Sequence, residues 1–431
     1  MAGLNETPRA ERLHIGIYGR RNNGKSSLIN AITGQNISLV SDFAGTTTDP
    51  VYKSMELHGI GPVVFIDTAG FDDEGELGQM RVERTLDAVD KTDIAIVVLS
   101  NENIIKNKNS ENSLKNLNSD IKNEKSEKEN EIVLDIEIEK EWINKLKKAK
   151  VPYLVVINKI DKISKDDLNA ISKKLEDDLK IKPILTSAVD KKGIELIREE
   201  LIRLLPEDYS MRSITGKIVK DGDTVLLVMP QDIQAPKGRL ILPQVQTIRD
   251  LLDNKCLVLC STADTMESMI SKLVSPPDLI ITDSQIFGDV YAKKPKESRL
   301  TSFSVLFADF KGDIDYYRES VKSIENLTES SRVLIAEACT HAPLEEDIGR
   351  VKIPNRLRKK IGEGLTFDIV AGRDFPKDLS KYDLIIHCGA CMFNRKYVLS
   401  RIESAKEQNV PMTNYGVVMA YLAGIIDKID F

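Results

Sequence analysis

The sequence predicts an α/β fold, with a first α/β domain followed by two further α/β domains on mainly parallel sheets. Three observations lead there. Apolar runs of strand length alternate with stretches of helical periodicity along most of the chain. Short polar motifs follow several of those runs directly, where open parallel sheets gather their binding groups. The 431 residues leave room for about three domains.

Composition sets the class. Hydrophobic content of 41% and charged content of 30% suit a water-soluble protein able to bury proper cores. A net charge of −6 argues against a general nucleic-acid or anionic-membrane binder. The first eleven residues are polar and carry no secretory apolar region. Apolar runs such as 94–99 are far too short to span a bilayer. Five cysteines in so long a chain make no disulfide framework and read as reduced thiols. The expectation is a cytoplasmic protein that binds neither nucleic acid nor membrane.

The first domain is expected over 11–206. Strands at 15–18, 63–66, 94–99, 153–157 and 184–185 alternate with helical stretches. The segment 101–130 interrupts them: 20 of its 30 residues are Asn, Lys or Glu, so it buries too little surface to order and reads as a disordered insertion. Leu204, Leu205 and Pro206 close the domain. A middle domain is expected over 211–298, with strands at 224–228, 256–259 and 279–281 and helices near 245–252 and after Thr265. A third is expected over 299–431, ending in the apolar stretch 417–426. Cys256 and Cys260, four apart on one strand, share a face and read as core packing.

Four motifs in the first domain carry chemistry. Gly19-Arg20-Arg21-Asn22-Asn23-Gly24-Lys25-Ser26 fits G-x4-G-K-[ST] between a strand and a helix opening at Ser27. Glycines let the backbone curl its N–H groups around phosphate, Lys25 reaches the β/γ oxygens and the Ser26 hydroxyl binds Mg2+. Gly19, Asn22, Asn23, Gly24, Lys25, Ser26 and Ser27 are thus expected against the nucleotide. Asp67-Thr68-Ala69-Gly70 puts a carboxylate beside Mg2+ and the Gly70 N–H near the γ-phosphate. In Asn158-Lys159-Ile160-Asp161, the Asp161 carboxylate can accept guanine N1–H and N2–H, a donor pair that adenine lacks. Ser187 and Ala188 can offer backbone N–H to guanine O6. Four such elements in order at four strand ends read as a P-loop GTPase that takes GTP with Mg2+.

The residues around these motifs resemble the TrmE/Era-type small GTPases. Ala44-Gly45-Thr46-Thr47-Thr48-Asp49 looks like their switch I, with Thr47 matching the Mg2+-binding threonine and Thr48 standing where an arginine is usual. By that resemblance Lys25, Thr47, Asp67 and Gly70 serve catalysis. Asn22 matches the asparagine that helps hold K+ in cation-activated members. Phe71 stands where Ras-like enzymes carry a water-orienting glutamine, so hydrolysis is expected to be slow and to depend on a cation, a partner or dimerisation.

The third domain holds a second centre. Cys339-Thr340-His341 and His387-Cys388-Gly389-Ala390-Cys391 each follow an apolar run. If the two strands are neighbours, the clusters meet at one sheet edge, where thiolates and imidazoles suit a metal or an iron–sulfur cluster. The plain alternative is three buried thiols and two polar loop histidines. A GTPase domain, a middle α/β domain and this Cys/His pattern together resemble the HydF family of FeFe-hydrogenase maturation GTPases over nearly the full length. The resemblance implies a 4Fe–4S cluster on Cys339, Cys388 and Cys391, and a middle domain that makes a homodimer or higher oligomer. It further implies a scaffold that takes up a diiron precursor made with two radical-SAM maturases and delivers it to apo FeFe-hydrogenase. Three thiolates leave one iron open, and His341 or His387 is expected nearest to it, followed by Glu345, Glu346 and Asp347. The basic run 356–360 either neutralises an anionic precursor or forms a solvated helix face. A ribosome- or tRNA-directed GTPase with a structural Cys3His zinc is the competing reading.

Overall fold

In the first two hundred residues the apolar runs assemble into one six-stranded sheet. The structure is a computed structural model and describes residues 7–34, 50–68, 70, 76–106, 132–206, 209, 212–230, 240–338, 348–372 and 374–431. It falls into two units, Met1–Pro206 and Glu207–Phe431.

The first unit contains strands β1 (Leu13–Tyr18), β2 (Val51–Leu57), β3 (Gly61–Asp67), β4 (Ile94–Leu99), β5 (Ile104–Lys106), β6 (Ile132–Leu134), β7 (Tyr153–Ile157) and β8 (Ile184–Leu185). Its sheet runs β2-β3-β1-β4-β7-β8. All neighbours are parallel except the β2–β3 hairpin. Every residue of β1 and β4 is buried, as expected for central strands covered on both faces. Helices α1 (Lys25–Thr33), α2 (Glu76–Val89), α3 (Glu137–Lys148), α4 (Lys165–Leu179) and α5 (Ile194–Arg203) accompany it. In α3, Trp142, Ile143 and Leu146 make a buried stripe, and each such apolar side chain stabilises the unit by roughly 1.5–3 kcal/mol. Acidic residues in its first turn and lysines in its last complement the helix dipole.

The first six residues of the expected disordered insertion are ordered. Asn101–Asn103 form a turn, and β5 pairs antiparallel with β6. The fully enclosed Asn103 side chain supplies the bonds that order this start, which a count of polar residues cannot register. The remainder of the insertion, 107–130, lies outside the described residues.

The second unit holds two four-stranded, wholly parallel sheets. Strands β9 (Thr224–Val228), β10 (Leu257–Ser261), β11 (Leu279–Thr282) and β12 (Arg299–Ser302) are ordered β10-β9-β11-β12. Strands β13 (Arg332–Glu337), β14 (Thr366–Ala371), β15 (Leu384–His387) and β16 (Met412–Asn414) are ordered β14-β13-β15-β16. Helices α6 (Leu242–Asp253), α7 (Met266–Ile270), α8 (Phe287–Lys293), α9 (Phe303–Lys311), α10 (Ile314–Ser320), α11 (Ile353–Ile361), α12 (Arg395–Glu407) and α13 (Tyr415–Leu422) cover them.

Two expectations shift here. The division placed between 298 and 299 falls just ahead of β12, which pairs with β11 and belongs to the earlier sheet. The chain also returns to that sheet at its end, where Ala420, Ile425 and Ile429 pack with Leu226, Val228 and Ile280, and the Asp430 N–H donates to Leu300 O at 2.9 Å. A four-residue strand with the single apolar residue Leu300 cannot announce which sheet it joins. Cys256 and Cys260 do not share a face either. Cys256 is buried just before β10, whereas Cys260 is exposed on that edge strand. Because β10 opens at Leu257, the two-residue alternation does not reach back to Cys256.

Candidate nucleotide site and cysteine centre

The first centre lies at the carboxyl ends of β1, β3, β4, β7 and β8. After β1 the chain turns through Gly19–Gly24 into α1. Gly24 takes φ +83, and a Cβ there would sit 2.5 Å from Asn158 Nδ2, so both conformation and space require glycine. Lys25, only 8% exposed, donates from Nζ to Gly19 O at 2.9 Å and Arg20 O at 3.0 Å, which keeps its ammonium over the loop. Ser26 Oγ donates to Asp67 Oδ2 at 2.7 Å, joining the two expected Mg2+ ligands from α1 and β3. Burial pushes the Asp67 carboxyl up, with the Ser26 bond and the charges of Lys25 and Lys53 pulling the other way. A buried carboxylate joined to a hydroxyl is an oxygen donor set that fits a hard divalent ion.

The base-recognition elements join the same loop. Asn158 Nδ2 donates to Asn23 O at 3.0 Å, while its Oδ1 accepts the Ala188 N–H at 3.2 Å. Ser187 Oγ donates to Asp161 Oδ1 at 2.7 Å, and Asp161 itself stays exposed. Lys159 takes the left-handed φ of 60° that swings the chain from Asn158 toward Asp161. Asn22 and Ser27 are exposed at the loop, and Gly70 is buried after β3. Thr47 with the rest of 44–49, and Phe71, lie outside the described residues.

Beneath this loop runs a polar network that the motifs do not announce. Asn23 Nδ2 donates to Val98 O at 2.7 Å and to Asn103 Oδ1 at 3.2 Å, and Ser100 Oγ donates to Asn23 Oδ1 at 2.7 Å. Asn103 Nδ2 donates to Glu139 Oε1 at 2.8 Å. Arg20 grips the chain just after the insertion, donating from Nε to Glu139 Oε1 at 2.9 Å and from Nη1 to Asp135 Oδ2 at 2.7 Å. The Arg20 bond holds the Asp135 carboxyl below its ordinary range. One signal was legible: Glu139 stands on the apolar stripe it shares with Trp142, Ile143 and Leu146.

The second centre lies at the ends of β13 and β15, which are neighbours in parallel register with Ala336 opposite His387. Cys388 N–H continues the ladder to Ala336 O at 3.0 Å. Cys388 Sγ accepts the N–H of Ala338 at 3.0 Å and of Ala390 at 3.4 Å. Ala390 takes φ +52 to aim its N–H there, a conformation costing a non-glycine residue about 1 kcal/mol or more. Burial pushes the Cys388 thiol up to about 11, against the pull of those two donors. Sulfur enclosed by backbone N–H groups fits a metal-bound thiolate, since the donors favour its charged form. Cys391 is half-buried on the same loop. After Cys391 the chain enters α12, capped by Asn394, whose side chain accepts the Tyr397 N–H at 3.3 Å.

His387 corrects an expectation. Its Nδ1–H donates to Cys388 O at 2.7 Å, and its Nε2 accepts from Arg401 Nη1 at 2.8 Å. Burial and the Arg401 charge hold the imidazole down at about 3. Both ring nitrogens are spent, so His387 has no lone pair for the open iron site. As the last residue of β15 it faces α12 within the core, and adjacency to Cys388 in sequence says nothing of that. Cys339, His341 and 345–347 lie outside the described residues, and among the described ones no three His, Cys, Asp or Glu side chains converge as metal ligands. Lys311, 2% exposed on α9, donates to Ala390 O at 3.2 Å and Phe393 O at 2.9 Å, securing the loop from below. The run 356–360 lies on α11, with Arg358 over the Phe367 ring and Lys360 over the Tyr421 ring.

Comparison with known proteins follows this geometry along the chain. Residues 14–159 match the model of the 50S ribosome-binding GTPases. Residues 214–312 match the hydrogen maturase F dimerization domain, and 315–429 match the hydrogen maturase F tetramerization domain. The chain belongs to the hydrogen maturase F family. Its GTPase part is 46% identical to the GTPase Der of Wolinella succinogenes over 99 residues, 22% of this chain and 20% of that protein. It is 29% identical to the tRNA modification GTPase MnmE of Paraburkholderia xenovorans over 195 residues, 45% of this chain and 34% of that protein. The chain thus spans about a fifth to a third of the length of these curated relatives. Among solved structures, Era from Aquifex aeolicus bound to GDP and aluminium fluoride is 18% identical with a TM-score of 0.33, covering 58% of this chain and 92% of that one. The two hydrogen maturase F domains meet at 313–314, within the second unit and after β12, consistent with that strand's place in the earlier sheet. Both domain descriptions name oligomer formation. Among the described residues no helix is long and apolar enough to cross a membrane.

Proposed function

We propose that this chain is a GTP-hydrolysing scaffold in FeFe-hydrogenase maturation. It holds a 4Fe–4S cluster on Cys339, Cys388 and Cys391, accepts a diiron precursor made with two radical-SAM maturases, and hands it to apo-hydrogenase. It works as a dimer or higher oligomer in the cytoplasm. One observation carries the reading: Cys388 Sγ, at the end of β15, receives the N–H of Ala338, the residue directly before Cys339. That bond ties the beginning of one cysteine segment to the sulfur of the other. The cluster, when bound, supplies an iron with an exchangeable position. With His387 committed to Arg401, His341 and the acidic run 345–347 are the remaining side chains for it.

At the nucleotide site Lys25 binds the β- and γ-phosphate oxygens, and Asp161, oriented by Ser187, selects guanine. Ser26, Asp67 and Thr47 hold Mg2+, which neutralises phosphate charge. Gly70 contributes its N–H at the γ-phosphate and Asn22 helps hold K+. Phe71 has no group to orient water, so turnover is slow and K+-stimulated.

Iron and sulfide analysis with EPR after anaerobic reconstitution tests the cluster. Substituting Ser for Cys339, Cys388 or Cys391 in turn is expected to abolish the cluster signal. Uptake of zinc with no iron would overturn the assignment. GTP turnover is expected to exceed ATP turnover and to fall when Na+ replaces K+; equal rates in both salts remove the cation from the reading.

A further inference from the structure

Arg401 lies on α12 behind the cysteine loop and is 3% exposed. Its Nη1 donates to His387 Nε2 at 2.8 Å and its Nη2 to Gly372 O at 2.6 Å. Its Nε is buried with no hydrogen-bond partner. Three rings surround the guanidinium, with centroids at 4.7 Å for Phe375, 4.9 Å for Phe393 and 4.7 Å for Tyr397. Among the described residues no carboxylate lies within ion-pair distance of it. Its acceptors are a neutral imidazole, a carbonyl and a phenol, so among the described residues nothing compensates its charge. Aromatic faces offset part of that cost, but a buried cation normally demands an anion.

The hydrogen bonds point to where that anion belongs. Arg401 holds His387, His387 holds the Cys388 carbonyl, and Asn414 Nδ2 donates to the same carbonyl at 3.2 Å. The guanidinium is therefore fixed behind the loop bearing Cys388 and Cys391, where thiolate charge accumulates when a metal group binds.

We propose that Arg401 is the built-in counter-charge of the cysteine centre: a positioning residue that compensates the anionic thiolate-bound group on Cys388 and Cys391 and favours its more negative state. The inference rests on the cluster-binding reading above. Arginine keeps its proton at any working pH, so the charge is constant. A fixed positive charge in a low-dielectric site stabilises the reduced form of an anionic group more than the oxidised form, and so raises its reduction potential.

The test compares the full-length protein with Arg401→Met and Arg401→Lys, each reconstituted anaerobically with ferrous iron and sulfide and titrated potentiometrically by EPR. Arg401→Met is expected to keep iron but shift the oxidised-to-reduced ratio at fixed potential by tenfold or more toward oxidised, about 59 mV for a one-electron couple. Arg401→Lys keeps the charge while losing the planar fork, and is expected to stay close to the parent. Equal shifts in both variants, or none in Met, would show that Arg401 only packs against the rings. Failure of the metal-free Met variant to fold, read by circular dichroism, also overturns the proposal, because the charge would then serve the fold. If the parent takes up no iron, the cluster reading itself fails and this inference falls with it.

Discussion

The nucleotide loop and the cysteine loop each rest on a helix that carries a charged residue on its apolar stripe, and the two charges are treated in opposite ways. Glu139 on α3 meets Arg20 of the nucleotide loop and Asn103 of the insertion, so its charge is matched by the protein. Among the described residues, Arg401 on α12 meets only neutral groups and aromatic rings. A site whose buried charges balance internally is assembled before its ligand arrives. One that keeps a charge unmatched is finished only when an ionic ligand joins it.

The largest expected effect separates the two centres. Lys25→Ala removes the ammonium from over the phosphate loop and is expected to cut GTP turnover at least a hundredfold, with iron uptake on the cysteine loop unchanged. Iron loss in that variant would show that the centres are not independently built.

The next effect tests the balanced side. Glu139→Ala removes two of the bonds that Arg20 makes and leaves Asn103 Nδ2 with only the Asp135 carbonyl at 3.2 Å. The first unit should lose about 3 kcal/mol in denaturant melts, the low end for breaking a buried pair because Asp135 stays on Arg20. Nucleotide affinity should fall with it. A loss below about 1 kcal/mol would mean that the clasp does not order the loop.

Asp67→Asn acts in both directions. Burial raises this carboxyl, so the stability it contributes is present in acid and lost as pH rises through its folded pKa. At neutral pH the uncharged amide removes that cost, and the metal-free protein is expected to melt at a higher temperature while Mg2+-dependent hydrolysis disappears. A lower melting temperature would show that Lys25 and Lys53 outweigh desolvation.

The smallest effect concerns the cysteines away from the centre. Cys256→Ser and Cys260→Ser are both expected to leave iron content unchanged. Exposed Cys260 should react with a thiol reagent in the folded protein faster than Cys256, which is 5% exposed. Iron loss in either variant would enlarge the ligand set beyond the loop.

What was legible in the sequence was local. Gly24, Lys25 and Ser26 announce their role because a phosphate loop is a short run whose backbone conformation and side chains are specified together. The Asp67 and Asn158 motifs are likewise contiguous with the strands that present them, and the apolar runs before Cys339 and Cys388 are strands whose adjacency, posed only as a condition by the sequence, the fold supplies. The tertiary structure alone decided the rest. It placed the 299–302 strand in the earlier sheet, committed His387 to Arg401 instead of the open edge, and joined Arg20 to Glu139 across 119 residues. Short motifs depend on bonds between near neighbours, whereas the fate of a buried charge depends on which distant element packs against it. Glu139 and Arg401 look alike along their helices, and only the packing around them gives one an opposite charge and, among the described residues, gives the other none.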